Sequence, residues 1–347
     1  MSARRKVRIA VVGAGAVGLS TAVQIQEALP ETEVTLIAEK FNRDTTSDGA
    51  AGIFQSAVDL VKGVPKETSR KWFQDSFEFF RSIAFSEEAE EAGISQVSGY
   101  QFYIEDPLED DPINSELYFN YRDCTEREFS IFPEVAGRAH HGNFYTTLTA
   151  EGRWLLPWLL KKFEKKGGKI INKKLLSLEE LVNKYDVVAN CTGLGSNELL
   201  GNNEVKPIRG QVIRVKAPWI KHFLMVDGYS LYVIPCKETV IIGGTRQYND
   251  SDLNVRLEDR ERIWKMACKH LPSLKTAEWQ WEWVGLRPFR EPLRLERETL
   301  KFKDGQLEVV HNYGHGGNGM ALCWGTGKEA CRLVVGVVAQ KFRNSKL

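Results

Sequence analysis

Three glycines near the start of the sequence have the spacing of a phosphate-binding turn. The motif Gly13-x-Gly15-x-x-Gly18 follows an apolar run, Val7–Val12, and precedes a stretch with helical character, Leu19–Leu29. The glycines of such a motif permit a tight turn and let a pyrophosphate approach the backbone amides at the helix N-terminus. Because the motif stands between a predicted strand and a predicted helix, the sequence predicts a dinucleotide site. The motif leaves NAD and FAD both open.

The second predicted strand, Glu33–Ala38, ends next to a carboxylate that suits the same ligand. Glu39 lies 21 residues after Gly18, where an acidic side chain accepts hydrogen bonds from ribose hydroxyls. The loop that follows has three hydroxyl residues, Thr45–Ser47, for phosphate oxygens, and small residues, Gly49–Gly52, that let a flat ring lie against the backbone. Taken by itself, this loop is better explained as an ordinary connection.

A third glycine-rich stretch, Val309–Gly319, opens the last predicted helix. Backbone amides at a helix start carry a partial positive charge. Such a site stabilises the negative charge that develops at the pyrimidine end of a flavin as it accepts electrons. His311 and His315 lie in this stretch, and we assign them a structural role because an i, i+4 pair inside a glycine-rich turn is a poor metal-ligand set.

The composition excludes several classes of protein. The 347 residues are 42% apolar and carry 47 basic and 46 acidic side chains, so the net charge of +1 gives no electrostatic footprint for nucleic acid or an acidic membrane. A charged fraction of 27% and a mean hydropathy of −0.33 exclude a disordered or fibrous chain. The six cysteines are scattered without a C-x-x-C pair, which favours reduced, buried thiols and predicts no metal site.

The distribution of the predicted strands indicates an α/β fold with two domains. Apolar strands of the nucleotide-binding type occur near both ends of the chain and at Tyr185–Asn190, whereas the region from Gln211 to Gly243 alternates as an antiparallel sheet does. We therefore predict an interrupted Rossmann-like domain, with a parallel sheet and helices, and a mainly antiparallel α+β substrate domain. The first would comprise residues 1–58, 143–200 and 287–347, and the second 59–142 and 201–286.

Three other segments carry predictions of local structure. Ser69–Ala92 is expected to form a helix, with aromatic residues at helical spacing that belong to the core (Trp72, Phe73, Phe77 and Phe80). Asp106–Tyr121 is rich in acidic residues and proline and is expected to be an exposed connection. Leu148–Lys165 is expected to be a helix.

Together with four further motifs, these stretches resemble the D-amino-acid oxidase family, whose members are peroxisomal FAD enzymes. The motifs are Val97–Tyr100, Pro207–Gln211, Ala217–Trp219 and Gly285–Pro288, and they occur in the order of the family. The likeness covers nearly the whole chain and implies an oxidoreductase with the cofactor FAD. The residues it implies for FAD binding are Gly13, Ala14, Gly15, Val17, Gly18, Glu39, Lys40, Thr45, Thr46, Ser47, Gly52, Ile53, Gly316, Gly317, Asn318, Gly319, Met320 and Ala321.

The resemblance also implies how a substrate would be held and oxidised. Arg287 and the hydroxyl of Tyr232 would bind the α-carboxylate, and the main-chain carbonyl of Gly317 would accept from the amine. With a neutral amine, the Cα hydrogen can leave as hydride to flavin N5, so no general base is needed. Electrons then pass to O2, giving H2O2, and the imino acid hydrolyses to a 2-oxo acid and ammonia. Without the resemblance, Arg287 would be assigned to a structural ion pair.

One short motif concerns the side chain of the substrate. Gly243–Gln247 matches the branch of the family that oxidises D-aspartate, which implies that Arg246 faces the side-chain carboxylate of D-aspartate, with D-glutamate as a second candidate. From spacing alone, Arg246 is equally well explained as a solvated side chain beside Asp250 and Asp252. Met225 stands where many members of that branch have a second arginine. The alternative is an oxidase of neutral D-amino acids.

Two other functions stay open, a nicotinamide-dependent dehydrogenase and a catalytically silent flavin-binding protein. The final residues, Ser345, Lys346 and Leu347, have the sequence of a peroxisomal address. They predict the import receptor as a partner and the peroxisomal matrix as the location, where an H2O2-producing oxidase would lie beside catalase. The expected partners are otherwise a small D-amino acid and O2, with no nucleic acid or membrane; the oligomeric state is left unpredicted.

Overall fold

The computed structural model describes residues 6–104, 112–136, 138–139, 141–226 and 231–344. The strands are β1 (Arg8–Ala14), β2 (Glu33–Phe41), β3 (Ile94–Tyr103), β4 (Phe119–Asp123), β5 (His141–Ala150), β6 (Lys169–Asn172), β7 (Val187–Asn190), β8 (Lys206–Lys216), β9 (Phe223–Val226), β10 (Leu231–Pro235), β11 (Val240–Gly243), β12 (Gln247–Tyr248), β13 (Glu278–Phe302) and β14 (Gly305–His315). The α-helices are α1 (Ala16–Ala28), α2 (Lys66–Ala84), α3 (Ala89–Ala92), α4 (Ile113–Leu117), α5 (Glu126–Ile131), α6 (Pro133–Ala136), α7 (Gly152–Lys165), α8 (Ser196–Leu200), α9 (Leu257–His270) and α10 (Gly319–Asn344).

One end of the sheet is parallel, and it contains the strand and helix between which the sequence predicts a dinucleotide site. Its strands lie in the order β14, β7, β1, β2, β6. The central strand β1 is buried on both faces, because Ile9–Val12 are all apolar and at most 3% exposed. Ile9 and Val11 pack in the cluster that includes α1, α7 and α10, whereas Ala10 and Val12 pack against residues 175–182 on the opposite face.

The other part of the sheet is mainly antiparallel and continues directly from the first. It runs β4, β5, β3, β9, β10, β11, β8, β13, with only the β3–β9 pair parallel. The long strand β13 joins the two parts, since residues 278–289 pair with β8 and residues 289–302 pair with β14. This mixed sheet with helices confirms the predicted α/β fold class. The domain boundaries stay a prediction, and β13 crosses the one placed between residues 286 and 287.

Three predictions of local structure are wrong in part. The helix expected over Ser69–Ala92 is two helices, because α2 ends at Ala84 and α3 begins at Ala89. The helix expected from Leu148 begins at Gly152, since residues 148–150 end strand β5, where backbone pairing with β3 overrides the helical pattern. The connection expected over Asp106–Tyr121 lies partly outside the described residues, but beyond them Ile113 and Leu117 are buried on one face of α4.

The aromatic residues of α2 form part of the core, as their helical spacing predicts. Trp72, Phe73, Phe77 and Phe80 are all at most 7% exposed. Phe54 lies among three of these rings, with centroid distances of 6.1, 5.2 and 6.4 Å to Phe73, Phe77 and Phe80 in edge-on arrangements. The cluster anchors the segment around Phe54, which continues from the glycine-rich loop, against α2.

The cysteines and helices give two further results. All six cysteines are free thiols, and four of them are buried. Burial raises the pKa of Cys191 to about 12, so that thiol is un-ionised at neutral pH.

Within the described ranges, the helices are all too short or too polar to cross a membrane.

Replacing Phe77 with alanine tests the aromatic core. Because its ring is 2% exposed and in contact with Phe54, Phe77→Ala should lower the free energy of unfolding by about 3–5 kcal/mol. The control is Phe85→Ala, one residue beyond α2, where a 67% exposed ring predicts a change within about 0.5 kcal/mol. Urea unfolding of both variants, saturated with cofactor, measures the difference. Equal losses would contradict this account of the core.

Candidate active site

A cavity of about 680 Å³ begins at the carboxyl ends of the parallel strands and extends over the antiparallel part of the sheet. Ligands of open α/β sheets bind at this edge of the strands. The cavity brings together nearly all the predicted site residues, from both halves of the sequence. Those that line it are Gly13, Ala14, Gly15, Val17, Glu39, Lys40, Thr45, Thr46, Ser47, Gly52, Ile53, Tyr232, Arg246, Arg287, Gly316, Gly317, Asn318, Gly319, Met320 and Ala321. Gly18, the remaining residue predicted to bind FAD, is not among the residues that line the cavity.

The glycine motif at the end of β1 is shaped by close backbone contacts. Gly13 has a φ of 106°, and a Cβ there would lie 2.5 Å from the carbonyl oxygen of Cys191. A Cβ on Gly18 would lie 1.9 Å from the carbonyl oxygen of Gly13, so this glycine lets α1 start directly against the turn. Gly15, the N-cap of α1, brings no side chain to the first-turn amides. The turn therefore offers its amides to an anionic group such as a pyrophosphate.

The loop after β2 completes the dinucleotide-binding half of the cavity. Ser47 accepts a hydrogen bond from the amide of Ala16 at the start of α1, with 3.1 Å between the heavy atoms. The hydroxyl of Thr46 donates to the carbonyl of Leu286 on β13 at 3.2 Å, which ties the loop to the antiparallel part of the sheet. Glu39 is exposed at the far end of the cavity. The amides of the glycine turn and the hydroxyls of this loop suit a pyrophosphate, and the carboxylate of Glu39 suits the ribose of a dinucleotide.

The two histidines of the third glycine-rich stretch have structural partners. The ring of His311 is buried between Asn190, at 3.3 Å, and Glu298, at 3.1 Å, and burial lowers its pKa. The Nε2 atom of His315 lies 3.0 Å from the hydroxyl of Thr326, and burial lowers the pKa of His315 to about 4. Both rings are therefore neutral at physiological pH. Across the part of the chain that the structure describes, His, Cys, Asp and Glu form no group of three suited to a metal ion.

At the other end of the cavity, two polar side chains lie flat over glycines of the sheet. Tyr232 on β10 pairs with Gly243 on β11, and a Cβ on Gly243 would lie 2.2–2.4 Å from the phenol ring. Arg287 lies over Gly210 of the neighbouring strand in the same way, with a Cβ position 2.3–2.5 Å from its guanidinium atoms. Nη1 of Arg287 donates to the carbonyl of Thr245 at 3.1 Å, which fixes the plane of the guanidinium.

Burial raises the pKa of Tyr232 above its usual value, although the nearby guanidinium of Arg287 opposes the shift. The phenol is therefore protonated at neutral pH and can donate a hydrogen bond. A protonated phenol beside a permanently charged guanidinium is a donor set for a carboxylate.

Arg246 is half-buried and lines the same cavity, with its guanidinium carbon 5.5 Å from the ring centroid of Tyr248. Asp250 and Asp252, the acidic residues close to Arg246 in sequence, pair with a different arginine. Asp250 and Asp252 bind the guanidinium of Arg256 at 2.6 and 3.1 Å. Arg246 thus adds a second positive charge to the end of the cavity that contains Arg287.

The sequence analysis missed several residues that line the cavity, among them Trp283 and Gln55. The indole of Trp283 covers Gly285 and Gly49, since a Cβ on either glycine would lie within about 2 Å of it. Nε2 of Gln55 donates to the sulfur of Met225 at 3.3 Å. The spacing of Trp283, Gly285 and Arg287 on β13 could have predicted that the indole lines the same cavity as Arg287. Residues i, i+2 and i+4 share one face of a strand.

Comparison with known proteins agrees with this geometry. Residues 8–333 match the family described as FAD dependent oxidoreductase. Human D-aspartate oxidase is 43% identical over 329 residues, which cover 94% of this chain and 94% of the relative. D-aspartate oxidase 1 of Caenorhabditis elegans is 34% identical, with coverages of 94% and 96%. The solved structure of glycine oxidase from Geobacillus kaustophilus superposes with a TM-score of 0.75 and coverages of 96% and 95%, and its 18% identity shows a shared fold.

The fold and the cavity therefore define an oxidoreductase that binds a flavin dinucleotide. The chain belongs to the family of FAD dependent oxidoreductases. FAD is its cofactor, which confirms the prediction from the sequence and excludes the nicotinamide-dependent alternative. The assignment of individual residues to FAD stays a prediction. The cavity fits the group, because Gly15 brings no side chain to the turn where a pyrophosphate would bind and because the lining loop residues Ala50 and Ala51 are small.

Replacing Gly18 with alanine tests the dinucleotide turn. The added Cβ would overlap the carbonyl oxygen of Gly13, so Gly18→Ala should displace α1 and weaken FAD binding at least about tenfold, or about 1.4 kcal/mol. The control is Gly336→Ala on α10, where a Cβ meets open space. Fluorescence titration of the apoproteins with FAD, alongside circular dichroism, measures both. A Gly18→Ala variant with wild-type affinity would show that the turn does not bind the cofactor.

Proposed function

We propose that this enzyme oxidises acidic D-amino acids, D-aspartate in particular, with O2 and water to the 2-oxo acid, ammonia and H2O2. The observation that carries the proposal is that Arg287, Tyr232 and Arg246 line one end of the cavity whose other end contains the dinucleotide turn. Two separate guanidinium groups suit a substrate with two carboxylates. The similarity to two D-aspartate oxidases supports the same substrate class.

The first step of recognition is the binding of the α-carboxylate. Arg287 would bind it through its guanidinium, whose orientation the carbonyl of Thr245 fixes, and Tyr232 would donate its phenolic hydrogen. The main-chain carbonyl of Gly317, an exposed residue at the cavity wall, would accept a hydrogen bond from the amine. With carboxylate and amine both held, only one enantiomer would direct its Cα hydrogen at the flavin, and we propose that this is the D-form.

The chain's contribution to the chemistry is positioning rather than proton transfer. When bound, FAD would supply the acceptor for the Cα hydride and the route of the electrons to O2. Of the described residues that line the cavity, the carboxylates are Glu39 near the end of β2, Asp44 just after β2, and Glu198 on α8 after β7, so they belong to the dinucleotide half. His315, the lining histidine, is bound to Thr326. Oxidation of a neutral amine by hydride transfer needs no general base, so residues that only position the substrate are sufficient for this reaction.

The side-chain carboxylate of the substrate would lie against Arg246. A cation at the cavity end favours an acidic side chain, because it attracts a carboxylate and gains no such attraction from a neutral side chain. One observation favours the alternative of neutral D-amino acids: Met225, Ile234 and Leu253 also line this part of the cavity and are apolar. A panel of D-aspartate, D-glutamate, D-alanine and D-methionine, with peroxide detection, separates the two.

We also propose the peroxisomal matrix as the location. The support is the sequence Ser345–Leu347, which matches an address read by an import receptor and lies outside the described residues, together with the H2O2 that the reaction releases. A fusion that leaves these residues exposed should co-localise with catalase, and deletion of the three residues should abolish the co-localisation.

Replacing Arg246 with alanine tests the side-chain assignment. Loss of the cation should lower kcat/KM for D-aspartate about a hundredfold or more, or about 2.7 kcal/mol, with far less effect on D-alanine. The control is Arg332→Ala, which removes an exposed arginine that pairs with Glu329 on α10, outside the cavity. Equal losses with D-aspartate and D-alanine would end the assignment of Arg246.

Replacing Tyr232 with phenylalanine tests the carboxylate donor and its protonation. Loss of a hydrogen bond to a charged group should raise KM about tenfold or more for both acidic and neutral substrates. Since the pKa of Tyr232 is raised above its usual value, the phenol stays protonated, and the wild-type to variant ratio of kcat/KM should be constant from roughly pH 7 to 9. A ratio that falls over that range would mean that the phenol ionises there and no longer donates.

A further inference from the structure

Arg209, on β8, is a fully buried cation with every donor bound. Guanidinium has five N–H donors. Nε donates to the carbonyl of Asp252 (2.8 Å), Nη1 to Gln247 Oε1 (2.7 Å) and Asp259 Oδ2 (2.9 Å), and Nη2 to Gln211 Oε1 (2.9 Å) and the carbonyl of Asn254 (2.6 Å). The group does not reach the cavity, and the proposed reaction does not use it.

Four of these bonds restrain the segment that follows Arg246 and continues into α9. The carbonyls of Asp252 and Asn254 flank Leu253, which lines the cavity. Gln247, the neighbour of Arg246, is bound through its side chain and also pairs with Arg209 across the sheet. Arg209 therefore holds the residues on both sides of Leu253 and the residue that follows Arg246.

Gln211, two residues along β8, fixes the remaining parts of the same segment. Its side-chain amide donates to the carbonyl of Arg256 and accepts from the amide of Arg256, both at 3.0 Å. Its backbone amide donates to the hydroxyl of Thr245 at 2.8 Å. Thr245 in turn accepts from Nη1 of Arg287. Arg246 thus lies between a residue bound to Arg287 and a residue bound to Arg209.

Burying Arg209 costs free energy, which indicates that the arrangement of its five donors has a role beyond stability. A buried guanidinium loses its hydration, and an apolar replacement of similar volume often stabilises a fold as well or better. A planar fork of five donors can, however, hold two carbonyls and a carboxylate at fixed relative positions, which a lysine cannot do. A buried arginine is therefore suited to holding the backbone of the segment after Arg246 in one position.

We propose that Arg209 is a positioning residue for substrate selection: it fixes residues 245–256, so that Arg246 stays at a set separation from Arg287. This inference rests on the proposed function, in which these two arginines bind the two carboxylates of an acidic D-amino acid. Loosening the segment should weaken binding of the side-chain carboxylate while the grip on the α-carboxylate persists.

The test is Arg209→Lys in the FAD-loaded enzyme. Lysine keeps a positive charge opposite Asp259 but cannot reproduce the fork to the two carbonyls. We expect KM for D-aspartate to rise at least about tenfold with kcat within about threefold, and kcat/KM for D-alanine to change less than about threefold. Hydrogen exchange of amides in residues 247–256 should become faster.

The matched control is Arg214→Lys. Arg214 is on the same strand and 2% exposed, but it binds Thr239 at 3.0 Å and pairs with Glu151, away from the segment. Its variant should keep the wild-type ratio of D-aspartate to D-alanine efficiency. If Arg209→Lys does not retain FAD, Gln247→Ala removes one link to Arg209 and should shift the ratio in the same direction, by at least about threefold.

Two results would overturn the inference while leaving the proposed function intact. One is a proportional loss with D-aspartate and D-alanine in Arg209→Lys, which a purely structural role would produce. The other is a wild-type ratio in Arg209→Lys when Arg246→Ala abolishes the preference for D-aspartate. A wild-type enzyme without any preference for acidic substrates would instead contradict the proposed function, and the inference with it.

Discussion

The substrate end of the cavity depends on the missing side chains of two glycines. Gly210 and Gly243 lie on adjacent strands, and each leaves a flat area of backbone on which a polar side chain rests, the guanidinium of Arg287 and the phenol of Tyr232. A methyl group at either position would occupy the place of those atoms. The sheet therefore acts as a rigid surface that orients two donors, and their orientation costs little entropy when a ligand binds, because it exists beforehand.

The continuity of the sheet places this surface next to the dinucleotide turn. β13 pairs with the antiparallel strand β8 along one part of its length and with β14, of the parallel part, along the other. Residues on one face of β13 therefore have a fixed register relative to the strand that leads into α10. The parallel and antiparallel parts are one hydrogen-bonded sheet, so the distance from Arg287 and Tyr232 to the glycine turn after β1 is set by backbone geometry rather than by loops.

Local patterns in the sequence predicted the dinucleotide half well, and long-range pairing limited the rest. The glycine spacing after β1 and the apolar strand β7 depend on short stretches, whose side chains alone favour the observed structure. β13 was missed because its 25 residues combine charges, aromatics and two prolines, and its strand character comes from partners on both sides. Trp283 and Arg209 were missed for the same reason: their places follow from strand register and from a segment some forty residues away in sequence.

The most direct test of the central claim is to mix the FAD-loaded protein with substrate in the absence of O2 and follow the visible absorbance of the flavin. A site that holds the α-carboxylate on Arg287 and Tyr232 and a second carboxylate on Arg246 predicts fast bleaching by D-aspartate, much slower bleaching by D-alanine, and none by L-aspartate. Bleaching by L-aspartate at a similar rate, or a flavin that D-aspartate leaves oxidised, would contradict this account of the site.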